Sequence, residues 1–182
     1  MRTRAVLPGP AHLPRRARFV RISTAALLSL GAILAVLVFV SIPRLRSLAQ
    51  QENEADAHAT LELFRGALTV LAAERPARAP PLSLEELARP APISRSLSDG
   101  EFLADGLVLR RHGYLFRLVE VPGAQGPGIL AWPWEHGTTG KAAFLFTPDG
   151  RIFRHPNTPA SWNGPTPSLE PAPIDGGWFL AF

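Results

Sequence analysis

The sequence predicts an α+β protein, in which an N-terminal transmembrane helix continues as a long stalk helix packed on a small antiparallel β-sheet. Three observations predict it. Residues 22–43 carry no charge and are bracketed by arginines. In residues 44–74, rich in Ala, Leu, Glu, Gln and Arg, the apolar Leu61, Phe64, Leu68 and Leu71 recur at spacings of three, four and three. Beyond Asp99-Gly100, short runs of strand-forming residues alternate with glycine turns. A chain of 182 residues has room for one modest domain and an anchor.

The apolar segment, ISTAALLSLGAILAVLVFVSIP, is 22 residues long. As a helix it reaches about 33 Å, enough for a hydrocarbon core of about 30 Å. Residues 1–51 hold eight arginines (Arg2, Arg4, Arg15, Arg16, Arg18, Arg21, Arg44 and Arg46) and no acid, whereas residues 52–182 hold eleven basic and fifteen acidic side chains. The basic excess therefore flanks the greasy segment and spares the aromatic-rich domain, so it signals topology and argues against nucleic-acid binding. Arg15, Arg16, Arg18, Arg21, Arg44 and Arg46 are the membrane-flanking residues. The positive-inside bias puts residues 1–21 in the cytoplasm and the C-terminal domain outside it. A cleaved signal is the rival reading. Ser47-Leu48-Ala49 has the small residues of a cleavage site but lies past two arginines, and Arg15-Arg16 has Phe19 displaced from a twin-arginine pattern.

Pro43 can kink the helix without ending it. From Arg44 to about Ala59 the next stretch is polar with only alanines on its faces, so residues 44–74 read as a stalk whose distal half packs on something. His58 reads as solvated or capping. Pro76, Pro80 and Pro81 stop the helix, and Ser83-Leu84-Glu85-Glu86 is a capping-box pattern for a short turn through Ala88, ended by Pro90 and Pro92. Residues 75–98 are expected to be a proline-rich connector.

Residues 99–155 form the expected head, a four-stranded antiparallel meander. Runs 107–111 and 114–121 flank His112-Gly113 as a hairpin. In the second run Tyr114, Phe116, Leu118 and Glu120 share one face, and Leu115, Arg117, Val119 and Val121 the other. Run 129–134 meets Pro133, which makes that strand an edge or ends it. Residues 142–147, a Pro148-Asp149-Gly150 turn and residues 151–154 complete the meander. Residues 156–182 read as an irregular proline-rich arm with an apolar end, Trp178 to Phe182, expected to return to the sheet or core or to meet a partner.

Basic N-terminus, apolar span closed by Ile42-Pro43, Ala-rich helix and small sheet together resemble type IV pilins and the pseudopilins of type II secretion. The resemblance is sharpest at SIPRLRSLAQQENEADAHATL, Ser41 to Leu61. GYLFRL (Gly113–Leu118) and WPWEHGTTGKAAFLFTPDGRI (Trp132–Ile152) are similar to the glycine-aromatic strand, Gly-x-x-Gly loop and Asp-Gly turn of a bacterial pilin-like subgroup. The resemblance implies a single-pass protein of the bacterial inner membrane, with membrane lipid and other pilin-like or secretion-system proteins as partners. The chain departs from the pattern at two positions. Pilin precursors carry a glycine before the apolar stretch, where prepilin peptidase cuts, and a glutamate inside it; aligned on Ile42-Pro43, these positions hold Arg21 and Ala26. The shape is thus implied without the processing, and the missing glutamate argues against polymerisation. A membrane-anchored binding or scaffold module unrelated to pili is the alternative.

Catalytic patterns are weak. With no Cys, thiolate metal sites, disulfides and Cys nucleophiles are excluded. His12, His58, His112, His136 and His155 are scattered, and Glu135-His136 lacks ligand spacing. Asp99, Glu101 and Asp105 match no calcium loop, Gly137-Thr138-Thr139-Gly140-Lys141 lacks phosphate-loop spacing, and GxSxG is absent. No enzyme activity, cofactor, metal or small-molecule substrate is expected. Trp132, Trp134, Trp162 and Trp178 are core residues or part of an interface; Trp132, Trp134, Trp178 and Phe179 are the candidates for partner binding.

Overall fold

The computed structural model describes residues 23–74, 83–124, 126–165 and 176–181. Arg15, Arg16, Arg18 and Arg21, the prolines Pro76, Pro80 and Pro81, residues 166–175 and Phe182 lie outside the described residues. The chain divides into two units, Met1–Ser41 and Ile42–Phe182.

One helix, α1 (Thr24–Glu74), enters both units. Ser23 opens it, its Oγ accepting from the Ala26 amide at 3.2 Å. Pro43 lies inside it; lacking an N–H it removes one helical hydrogen bond but does not stop the helix. In the first unit the segment through Ser41 carries no charge, and its large apolar side chains face outward, Leu28 at 75% and Phe39 at 81% exposure. By length and composition α1 is long and apolar enough to cross a membrane.

Among the described residues the second unit is built on a sheet of seven strands: β1 (Glu101–Leu103), β2 (Val108–Arg111), β3 (Tyr114–Glu120), β4 (Pro127–Pro133), β5 (Ala143–Phe146), β6 (Ile152–His155) and β7 (Phe179–Leu180). They lie in sequence order and every neighbouring pair is antiparallel. The runs expected to make a four-stranded meander form five strands at its centre, β2 to β6, with β4 in the middle. β1 and β7, of three and two residues, are too short to show an alternation in sequence. The β2–β3 turn forms as expected, with His112 at φ 44° and Gly113 at φ 74°, the pair of positive φ values that a two-residue hairpin of this hand requires. Pro133 ends β4, but β4 is the middle strand and not an edge. Its ladder to β5 involves only Ile129, Leu130 and Ala131, so the missing proline N–H falls beyond it.

Both sheet faces are apolar, which explains the mixed alternation of residues 114–121. On one face Leu109, Tyr114, Phe116, Ile129, Ala131, Phe144, Phe146 and Ile152 pack against Ala57, Leu61, Phe64 and Ala67 of α1. On the other, Leu115, Leu130, Trp132, Leu145 and Phe153 pack with Trp162 and Trp178 from the C-terminal arm. Leu61 and Phe64 of the helical stripe thus pack as their spacing predicts, with Leu68 partly buried beside them, whereas the Leu71 side chain lies outside those described.

Two short helices, α2 (Leu84–Ala88) and α3 (Ala91–Ser96), occupy the segment expected to be a connector. Ser83 Oγ accepts from the Glu86 amide at 3.1 Å, as its capping pattern predicts. Pro90 and Pro92 both end α2 and begin α3, because proline suits a helix start. Leu84, Leu87, Ala88 and Leu97 are buried in the helix-side core, so residues 83–98 belong to the folded unit.

Two glycines test this packing in opposite directions. Gly128 in β4 is backed by Val121 Cγ2 and the Phe146 carbonyl oxygen, which an added Cβ would meet at 2.5 and 2.6 Å; Gly66 on the exposed face of α1 has open space around it. Gly128→Ala is expected to destabilise the unit by about 1–3 kcal/mol. Gly66→Ala is expected to stabilise it by about 0.5–1 kcal/mol through helix propensity. Urea unfolding of the full chain in detergent micelles, followed by tryptophan fluorescence, measures both.

Candidate functional site

The polar groups of the second unit converge along one seam, where α1 lies against the loop between β4 and β5 and against the β2–β3 turn. Residues 44–59 read as a polar stretch of stalk in sequence. From Gln50 onward, however, they are partners of the sheet. Gln50 donates to the Gly137 carbonyl oxygen, and Asn53 Nδ2 to that of Thr139 at 2.8 Å. Glu54 Oε1 accepts from the amides of Lys141 and Ala142 at 3.0 and 3.1 Å, and its Oε2 from Arg154 of β6 at 3.0 Å. Burial pushes the Glu54 carboxyl up, but the two amides and the guanidinium outweigh it and hold the group below the usual range. Beside it Tyr114, buried, donates to the Ala142 carbonyl oxygen at 2.9 Å, and burial drives its phenol far above the ordinary value.

The same seam continues at the hairpin turn. Arg111 grips Asp99 with two bonds, Nε to Oδ1 at 2.7 Å and Nη2 to Oδ2 at 3.1 Å, and its Nη1 reaches Thr60 Oγ1 of α1 at 2.7 Å. His112 sits between two carboxylates, Nδ1 at 2.8 Å from Asp56 Oδ2 and Nε2 at 2.6 Å from Asp99 Oδ2. The Arg111 bonds, ahead of its attraction and that of His112, hold Asp99 below the normal carboxylate range.

Chemically this is a set of occupied groups. Glu54 Oε1 has two donors and Oε2 one, and both His112 nitrogens face carboxylates, so these side chains tie α1 to the sheet and to the hairpin turn. Among the described residues no three His, Asp or Glu side chains are placed to hold a metal ion. Of the expected acidic trio, Asp99 is consumed by Arg111 and His112, and Glu101 lies 3.8 Å from Arg110. His58, read as solvated, is half-buried with its ring edge-on to Phe144 at 6.4 Å. The loop 137–141 holds its own amides: Gly137 N bonds the Gly140 carbonyl, Thr138 N and Thr139 N bond that of Glu135, and Lys141 N bonds Glu54.

The tryptophan candidates separate. Trp132 is fully buried, its Nε1 donating to the Gly164 carbonyl at 2.8 Å, and Trp178 is 7% exposed within a cluster with His155 and Trp162, ring centroids 5.0–5.3 Å apart. Both therefore serve the core, which corrects their candidacy as partner-binding residues. The tie from Asn157, donating to the Trp162 carbonyl at 2.7 Å and accepting from its amide at 2.9 Å, seats Trp162 there. Trp178 Nε1 is buried with no acceptor among the described residues. Trp134 is half-exposed, stacked under Arg110 with the guanidinium 4.4 Å from the ring centre. Phe179, on β7, is 65% exposed. Trp134 follows the middle strand and Phe179 lies on an edge strand, so the four do not form one patch. Arg44 and Arg46 are exposed on α1.

What sequence reasoning missed is Glu54, because its partners lie 87 to 100 residues away and no short motif announces them.

The clamp makes a pH prediction. A carboxyl lowered by folding binds its proton more readily in the unfolded chain, so its stabilisation is complete above the unfolded value near pH 4 and lost as pH falls through the lower folded value. The full chain in micelles is expected to lose stability steeply below about pH 4. Glu54→Gln is expected to cost about 1–3 kcal/mol at pH 7 and to flatten that acid limb. Urea unfolding between pH 3 and 7 measures both.

No protein family, curated protein or solved structure matches this chain.

Proposed function

We propose that this is a single-pass membrane protein of pilin-like layout, a structural or accessory component of a type II secretion or type IV pilus-like assembly that acts by protein–protein contact. The observation that carries this reading is α1: an uncharged, outward-facing apolar half, followed without a break by an amphipathic half that packs on a meander sheet. The excess of arginine before the apolar segment supports a cytoplasmic N-terminus and an extracytoplasmic head in a bacterial inner membrane. The partner-facing surface is the β7 edge. Phe179 and Leu180 are 65% and 46% exposed there, and a terminal strand offers unpaired backbone groups to an incoming strand. Polar occupancy throughout the seam favours a contact role over a catalytic one.

A second reading has its own observation. Arg21 and Ala26 stand where prepilin processing and filament registration need glycine and glutamate, which favours an anchored binding or scaffold module that never enters a filament.

Two measurements test these readings. The protein purified from its native membranes is expected to keep residues 1–21 and to resist alkaline carbonate extraction. An intact mass lacking those residues would replace the inner-membrane accessory by a filament subunit, and carbonate release would remove the anchor. A photo-crosslinking residue in place of Phe179 is expected to capture a pilin-like or secretion-system protein in native membranes. Capture of an unrelated envelope protein would favour the scaffold module.

A further inference from the structure

We propose that Asn163-Gly164 is a site of spontaneous side-chain cyclisation that the docked C-terminal arm holds closed, so that the modification follows release of the arm and makes that release permanent. The chain has three asparagines, Asn53, Asn157 and Asn163, and only Asn163 is followed by glycine. Attack of a backbone nitrogen on the preceding Asn side chain is least hindered there, because glycine has no Cβ to crowd the approach. Asn163 is exposed, and a Cβ added to Gly164 would meet nothing within 4 Å. The dipeptide is therefore open to water.

The step needs water alone. The Gly164 nitrogen gives up its proton and bonds to Asn163 Cγ, the Cγ–Nδ2 bond breaks, and Nδ2 leaves as ammonia with that proton. Water then opens the five-membered ring at either of its carbonyls. One opening leaves aspartate. The other leaves isoaspartate, in which the main chain runs through Cβ and Cγ and is one carbon longer. Nothing is oxidised or reduced.

In the folded unit both reacting groups are engaged. Asn163 Oδ1 accepts from the His136 amide at 2.8 Å, which fixes the side-chain carbonyl. The Gly164 N–H donates to the Trp134 carbonyl oxygen at 3.1 Å, so the proton that must leave is held elsewhere. A third bond, from Trp132 Nε1 to the Gly164 carbonyl oxygen at 2.8 Å, ties the same stretch to the buried middle strand. These bonds are directional, and a group held by them reacts through local opening, so cyclisation waits for the arm to lift. The neighbouring Trp162 is buried in the far-face core and seated by Asn157. The extra carbon of isoaspartate shifts Gly164 against Trp132 and Trp134, and the arm loses the register in which these bonds form.

The full chain in micelles and the same chain unfolded in urea are kept at mildly alkaline pH, and the peptide that contains Asn163 is followed by mass as ammonia is exchanged for water. The folded chain is expected to react at least about tenfold more slowly, in proportion to the fraction of time the arm is open. Equal rates would overturn the inference, and this comparison needs no variant. Trp132→Phe, shown to be folded by the fluorescence of the remaining tryptophans, is expected to react several-fold faster than the folded parent. An unchanged rate there would mean that docking of the arm does not close the site. The isoaspartate form, separated by chromatography, is expected to unfold at a lower urea concentration than the parent, and an equal midpoint would overturn the permanent release.

Discussion

A sheet with two apolar faces must be covered twice, and the second unit follows from that requirement. Leu115, Leu130, Trp132 and Leu145 are as thoroughly buried as Tyr114, Phe116, Ile129 and Ala131 on the opposite side. Burying large side chains is the main favourable term in folding, at about 1.5–3 kcal/mol for each aliphatic or aromatic side chain fully buried. The stripe of α1 supplies one cover and the tryptophans of the C-terminal arm the other. The described parts of the arm therefore form a structural layer, Trp162 and Trp178 on the far face and β7 paired with β6.

Apolar packing holds the helix on the sheet, and the polar seam decides where along it. A stripe such as Leu61, Phe64 and Ala67 tolerates sliding, because hydrophobic contact is non-directional. Hydrogen bonds are directional, and the amides of Lys141 and Ala142 meet Glu54 in a single register. The Arg111–Asp99 fork and His112 between Asp56 and Asp99 place the hairpin turn against the same helix. Removing one partner from a half-buried group such as Glu54 leaves the others unsatisfied, so the seam holds as a set.

The apolar half of α1 has no protein cover among the described residues, and the polar seam begins only seven residues past Pro43. The β7 edge and Trp134 differ in character, one the last strand of the sheet among the described residues and the other an aromatic held under Arg110.

The sequence alone determined whatever depends on neighbours within a few residues. The apolar run without charges, the helical stripe, the Ser83 cap and the His112-Gly113 turn are all short-range patterns, and each is found where its residues predict. The arginine asymmetry likewise needs only counting. Tertiary structure decided the rest. It showed that Trp132 and Trp178 are interior, that β1 and β7 extend the sheet, and that Glu54 ties α1 to β6. The physical reason is common to all three: a side chain's burial and a short strand's pairing are set by partners far along the chain, and those partners leave no periodic trace in sequence.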